Sequence, residues 1–194
     1  MHEYTPKTFT ISSLIGISDK AIAEHIKLYE GYVKHVNLIR KRIKELEQDG
    51  DLHMYDIGEL RRRFSFEFDG MRNHEYYFAS LEGGAHHVNT GGDLYKKIEK
   101  DFGSFDMWLV SFKTLALTRG IGWAMLYYDK ESDQLVQTWV DEQHLGHLTG
   151  LSPILALDMW EHSFVIDYLP SGKKQYVEDF FKNLNWTVIE NNFK

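Results

Sequence analysis

The chain has 194 residues, 43% of them apolar and 26% charged, with a formal net charge of −7. That length suits one compact unit or two small lobes sharing a core, and the acidic balance argues against a nucleic-acid partner. Cysteine is absent, which excludes disulfides, thiolate metal sites and cysteine nucleophiles. Any metal site must therefore be assembled from the ten histidines and the carboxylates.

The N-terminal MHEYTPKTFT lacks the apolar core of a leader, and no stretch approaches the roughly 18 apolar residues of a membrane span. A cytoplasmic protein without a membrane partner is the expectation. From Ser18, a plausible N-cap, one long helix runs to a stop at Gly50. Its apolar positions Ile22, Ile26, Tyr29, Val33, Val36, Ile39, Ile43 and Leu46 recur with a helical period, and His25, Tyr29 and Tyr32 lie along that face. His35 falls off it and reads as solvated. A second helix is expected from about Tyr55 to Leu81, with Leu60, Phe64, Met71, His74, Phe78 and Leu81 in one stripe. The glycine-rich GGAHHVNTGG then divides the chain, and its His86–His87 pair reads as solvated.

Beyond it, DLYKKIEKDFG and SFDMWLVSFKTLALT predict two helices. GWAMLYYD, QLVQTWV and PILALD predict strands, the first two joined by a turn at DKESDQ. KKQYVEDFFKNLNWTVIENNF predicts two closing helices. The expected class is α+β: a helical hairpin domain over residues 1–88, then a domain over 89–194 with a small three-stranded antiparallel sheet surrounded by helices.

ILALDMWEHSF places a carboxylate, Asp158, and an imidazole, His162, four residues apart after an apolar run. A buried carboxylate needs a partner charge or a metal. With His25 and His74 on the two long helices, these residues make a three-histidine, one-aspartate set suited to iron, manganese or zinc. The same residues admit plainer readings: a histidine on an amphipathic helix is often a satisfied core residue, and Asp158 could cap the segment that follows. No H-E-x-x-H or E-x-x-H occurs, against a zincin or a ferritin-like di-iron bundle. No phosphate-binding loop or nucleophile elbow is present either.

DMWEHSFVIDY resembles the D-x-W-E-H signature of the iron/manganese superoxide dismutase family. MRNHEYYF, FGSFDMW, GIGWAMLYYD and YVEDFFKNLNWTVIENNF resemble further motifs of that family, in the family's order and over nearly the whole chain. The resemblance implies one Fe or Mn ion per subunit, held by His25, His74, Asp158 and His162, with superoxide as substrate in a homodimer or dimer-based tetramer. It makes Tyr32 the gate to the substrate funnel and Trp123 and Trp160 the aromatic wall. Tyr32 follows His25 by seven residues, where the family spacing is eight, which implies a first helix without an extra, bulged residue; an ungapped alignment would instead put Glu24 at the ligand position.

Gly70 stands where iron-type members often carry a glutamine, so the residue tuning the metal's solvent is expected from WVDEQHLGH: Gln143, 15 residues before Asp158, or its rival His144. Glu161 is retained as the residue that bonds the ligand histidine of the other subunit. Tyr29 and Val165 replace a usual histidine–tyrosine pair across the dimer. The implied reaction is dismutation of superoxide to dioxygen and hydrogen peroxide, with Lys27 and Lys34 as cations that could offset the chain's negative field. The alternative is a non-catalytic homologue serving as a structural or metal-binding subunit. A metal-dependent hydrolase would need a general base, for which only Glu161 offers itself.

Overall fold

The computed structural model describes residues 2–49 and 51–193. Helix α1, Asp19–Leu46, starts where Ser18 accepts the Ala21 N–H on its hydroxyl at 3.1 Å, satisfying one of the free donors at a helix start. It buries Ala21, Ile22, His25, Tyr29, Val33, Val36 and Ile39 on one face. The helix gives way to a 3-10 turn, Glu47–Asp49; the expected stop at Gly50 lies outside the described residues.

Helix α2, Met54–Leu81, folds back along α1, which brings His74 near its end beside His25 near the start of α1. Its buried face is densest from Phe66 to Leu81. Leu60 and Phe64 are only half-buried, because the part of α2 that meets the rest of the molecule is its C-terminal half. His35, off the apolar face of α1, and His86 and His87, in the glycine-rich connector, are exposed, as expected.

Helices α3 (Asp93–Phe102) and α4 (Phe105–Ala116) follow, and Ser104 caps the second by accepting from Met107 N–H at 3.1 Å. Strands β1 (Gly122–Asp129), β2 (Gln134–Asp141) and β3 (Ser152–Asp158) form an antiparallel sheet in the order β2-β1-β3. The turn between β1 and β2 is closed by Asp129, whose carboxylate accepts from Glu131 N–H at 2.9 Å and from the Ser132 hydroxyl at 2.6 Å. Pro153 is tolerated because β3 is an edge strand, and the ladder is irregular beside it, between Leu126 and Tyr127.

Helices α5 (Lys173–Lys182) and α6 (Trp186–Asn192) close the chain. The architecture is α+β: two long helices, then helices around a three-stranded sheet. The register sets Trp123 of β1 directly opposite Asp158, the last residue of β3. One end of the sheet therefore faces the His25–His74 pair on the hairpin.

Candidate metal centre

Four segments deliver one side chain each. His25 comes from the buried face of α1, His74 from that of α2, Asp158 from the end of β3, and His162 from the 3-10 turn Glu161–Ser163 that follows. His25, His74 and Asp158 are buried and His162 is half-buried, and one donor atom from each lies within 4.8 Å of the others. Asp158 Oδ2 is 3.1 Å from Nε2 of His25, 3.1 Å from Nε2 of His162 and 3.5 Å from Nε2 of His74.

Asp158 is pinned on its other atoms. Oδ1 accepts the Trp160 N–H at 2.8 Å, and its main-chain oxygen accepts from the hydroxyls of Tyr176 and Ser163, each at 3.0 Å. Oδ1 thus caps the segment that follows, and Oδ2 is left facing the three imidazoles.

The protonation of His74 decides what the cluster fits. Its Nδ1 lies 2.6 Å from the Gly70 carbonyl, which cannot donate, so Nδ1 carries the proton. Burial, followed by the neighbouring His25, pushes the His74 pKa down to about 3, so the ring is neutral and Nε2 is a bare lone pair. That atom is buried and has no hydrogen-bond partner. A lone pair facing a carboxylate oxygen is repulsive unless a cation lies between them. Burial also lowers the pKa of His25. For Asp158 burial alone would favour the acid, but the imidazoles of His162 and His25 override it and hold the carboxyl far below its usual range. Three nitrogen donors with one anionic oxygen match a borderline divalent or trivalent first-row ion, and the residues fit such a group.

Aromatic rings wall the cluster. Trp123 meets His74 edge-on at 5.0 Å between centroids, Tyr77 and Phe78 each lie 4.9 Å from His25, and Trp160 stacks on His162 at 5.7 Å. Tyr32 sits 5.1 Å from His74.

A family model for "Iron/manganese superoxide dismutases, C-terminal domain" matches residues 90–192. The chain is 35% identical to the "Superoxide dismutase [Fe]" of Cupriavidus metallidurans, over 96% of this chain and 93% of that one. It is 32% identical to the "Superoxide dismutase [Fe]" of Aquifex aeolicus, over 100% and 92%, and 32% identical to the "Superoxide dismutase [Mn]" of Mycolicibacterium fortuitum, over 87% and 80%. The chain belongs to the iron/manganese superoxide dismutase family.

Within that family's frame, the seven-residue spacing of His25 and Tyr32 is carried by an unbroken α-helix, and both rings reach His74. Glu24 points outward and pairs with Lys27 at 2.7 Å. Gln143 is fully buried. Its Oε1 accepts from Trp123 Nε1–H at 2.9 Å, and its Nε2 donates to the Tyr32 hydroxyl at 3.0 Å. His144 packs edge-on against Phe66 at 5.6 Å.

Tyr29 does not reach the surface. It is wholly buried, its hydroxyl accepting from Lys7 N–H at 2.8 Å and donating to Glu75 at 3.3 Å. The neighbouring side chain exposed there is Leu28. Glu161 and Val165 are exposed on the single chain. Asn73, which donates to the Gln143 carbonyl at 3.0 Å, and Tyr176 are supporting residues that sequence reading missed. Asn73 had a signal, since it immediately precedes His74 in the N-H motif. Tyr176 had none, because its contact with Asp158 spans two elements.

Proposed function

We propose that this protein disproportionates superoxide to dioxygen and hydrogen peroxide at one iron or manganese ion per subunit, held by His25, His74, Asp158 and His162. The observation that carries the reading is the bare, buried Nε2 of His74 aimed at Asp158 alongside two further imidazoles. The names of the relatives, which include both iron and manganese enzymes, support the same chemistry. When bound, the ion would supply a one-electron couple between its 3+ and 2+ states.

The protein's part is to admit a small anion, exclude other reactants and deliver protons, two of which are needed for each hydrogen peroxide formed. Burial, then the Asp158 charge, pushes the Tyr32 hydroxyl above the ordinary phenol range, so Tyr32 keeps its proton. Its oxygen already accepts the Gln143 N–H, which leaves its own O–H free to donate towards the site. Gln143 is in turn aligned by Trp123. The aromatic wall excludes bulk water, which strengthens each of these dipoles.

Two further readings belong to the same proposal. The division into a hairpin domain over residues 1–88 and a second domain over 89–194 is supported by the family match beginning at residue 90. A homodimer is supported by exposed Glu161 beside half-buried His162, flanked by exposed Val165 and Ile166. Among the described residues no helix is long and apolar enough to cross a membrane.

The test is metal analysis of purified protein, with turnover measured after reconstitution with each metal. His74→Ala should abolish both stoichiometric binding and activity. Full occupancy with normal turnover in that variant overturns the ligand set, and stoichiometric metal without turnover in the native protein favours the non-catalytic homologue.

A further inference from the structure

The segment WVDEQHLGH ends in a histidine, His147, that the proposed chemistry leaves without a task. The segment turns sharply after β2. Asp141 and Leu145 exchange main-chain hydrogen bonds at 2.8 and 3.1 Å, and Glu142 takes a left-handed conformation with φ 52°. That turn drives Gln143 inward, to where its amide spans Trp123 and Tyr32. An amide side chain swings easily about its own bonds, so its direction depends on what fixes its main chain.

Two donors converge on the Gln143 carbonyl. Asn73 Nδ2, from α2 beside ligand His74, lies at 3.0 Å, and His147 Nε2 lies at 3.1 Å. A carbonyl only accepts, so the second contact requires the proton of His147 on Nε2; the Asn73 amide nitrogen, 3.3 Å from that same Nε2, is then a second donor to the shared carbonyl and not a donor to the ring. Nδ1 is then an acceptor, and it sits 2.5 Å from the hydroxyl of Tyr127 on β1. Tyr127 is buried, and burial raises its pKa beyond the normal phenol range, so it retains the proton this arrangement needs. A hydrogen bond at one ring nitrogen thereby sets the state of the other. The chain of contacts runs from the middle of the sheet through His147 to the Gln143 main chain and on to Tyr32.

We propose that His147, oriented by Tyr127, is a positioning residue that fixes the Gln143 carbonyl from the loop side while Asn73 fixes it from α2, so that the Gln143 amide stays between Trp123 and Tyr32. The consequence for turnover rests on the superoxide dismutase reading above, whereas the geometric part does not.

The test compares His147→Ala, His147→Gln and Tyr127→Phe in metal-loaded protein, by crystal structure and by turnover. In His147→Ala the Gln143 contacts to Trp123 and Tyr32 should open beyond hydrogen-bonding range and turnover should fall roughly tenfold, the scale of outer-shell changes at metal sites. His147→Gln, which restores an N–H donor, should recover both contacts and most of the turnover. Loss of bulk alone would not be rescued in this way. Tyr127→Phe should loosen the same contacts to a smaller degree, and it carries the test if the alanine variant does not fold. Unchanged Gln143 contacts in His147→Ala or in Tyr127→Phe overturn the proposal, as does a glutamine variant no better than alanine. Absence of dismutase activity in the native protein would instead overturn the functional reading, with the displacement of Gln143 still readable in the crystals.

Discussion

Residue 70 shapes the candidate site in two ways, once through its main chain and once through its missing side chain. The Gly70 carbonyl fixes the His74 tautomer, and the space above its Cα is filled by Tyr32. A Cβ at that position would lie 2.6 Å from Cδ1 and 2.8 Å from Cε1 of the Tyr32 ring, too close for a rigid ring to absorb. Gly70→Ala should therefore push Tyr32 off its bond with Gln143, cost about 1–3 kcal/mol of stability as overpacking does, and leave metal binding intact. Denaturant unfolding and turnover on the same preparation would check this, and an alanine variant with native turnover would show that the Tyr32 seat is not needed. Apolar helix faces and an apolar strand end marked the four convergent residues only as candidates, with core and capping roles still open; the D-x-W-E-H and N-H resemblances singled them out, and the structure brings them together. The Tyr32–Gly70 approach was not legible, since a glycine announces room without saying what fills it. Sequence left room for an amide; the structure puts a phenol ring over Gly70 and brings the amide in beside it. Between the two amide candidates, Gln143→Ala should keep the metal and cut turnover, by roughly tenfold or more for an outer-shell group, while His144→Ala, whose ring packs on Phe66, should do much less. The reverse order of effects would reassign the loop.

At the scale of elements, periodicity anticipated the helices and strands well, because each carries its own signal: a 3.6-residue stripe, a capping serine, or a β-branched and aromatic run. What it could not supply was register between elements. The pairing of Trp123 with Asp158, on which the site depends, is a relation between strands about 30 residues apart in sequence. The same holds where the end of α2 meets α6. Asn185 caps α6 by accepting from Thr187 N–H at 3.1 Å, while its Nδ2 donates to the Glu82 carbonyl at 2.8 Å and its main-chain N–H to Ser80 at 2.7 Å. One side chain thus satisfies orphan groups at the end of one helix and the start of another. Asn185→Ala should cost about 0.5–2 kcal/mol through the lost cap, with a further contribution from the unpaired Glu82 carbonyl. It should leave metal content and turnover per bound metal unchanged. Thermal or denaturant unfolding measures the first part. A fall in turnover per metal would mean that this junction couples to the site.

On the scale of the whole molecule, charge and assembly set the terms on which the site works. A protein of net charge −7 repels an anion at long range, so local cations must reshape the field near the entrance. Lys27, one expected candidate, is matched by Glu24, and Lys34, the other, lines a groove between residues 2–6 and α1. Arg63 lies nearer the candidate site, its guanidinium 3.6 Å over the Phe66 ring, which packs near Tyr32 with centroids 6.1 Å apart, although it too is paired, with Glu67 at 2.9 Å. Arg63→Ala should slow turnover at low ionic strength and matter less as salt screens the field; equal loss at all salt concentrations would point to packing instead. Assembly raises the larger question of how His162 is held. Its Nε2 faces Asp158, and a metal-ligating imidazole commonly passes its other N–H to a carboxylate. Glu161 cannot serve its own neighbour well, being exposed and directed outward on the single chain. In the homodimer proposed above, a two-fold axis would let each Glu161 meet the His162 of the other copy, since contacts across an isologous interface are reciprocal. The usual second bridge is missing: Tyr29 has turned inward to Lys7 and Glu75, and the side chains left exposed nearby, Leu28 and Val165, are apolar. Interface polarity would then rest on Glu161. Removing one partner of a buried charged pair weakens association on the order of a hundredfold, so Glu161→Ala should shift the protein towards monomer. It should also release metal more readily, because His162 loses the group that orients it. Sedimentation velocity and metal analysis on one sample decide the matter: a variant that stays dimeric with full metal would mean that Glu161 does not bridge subunits in this protein.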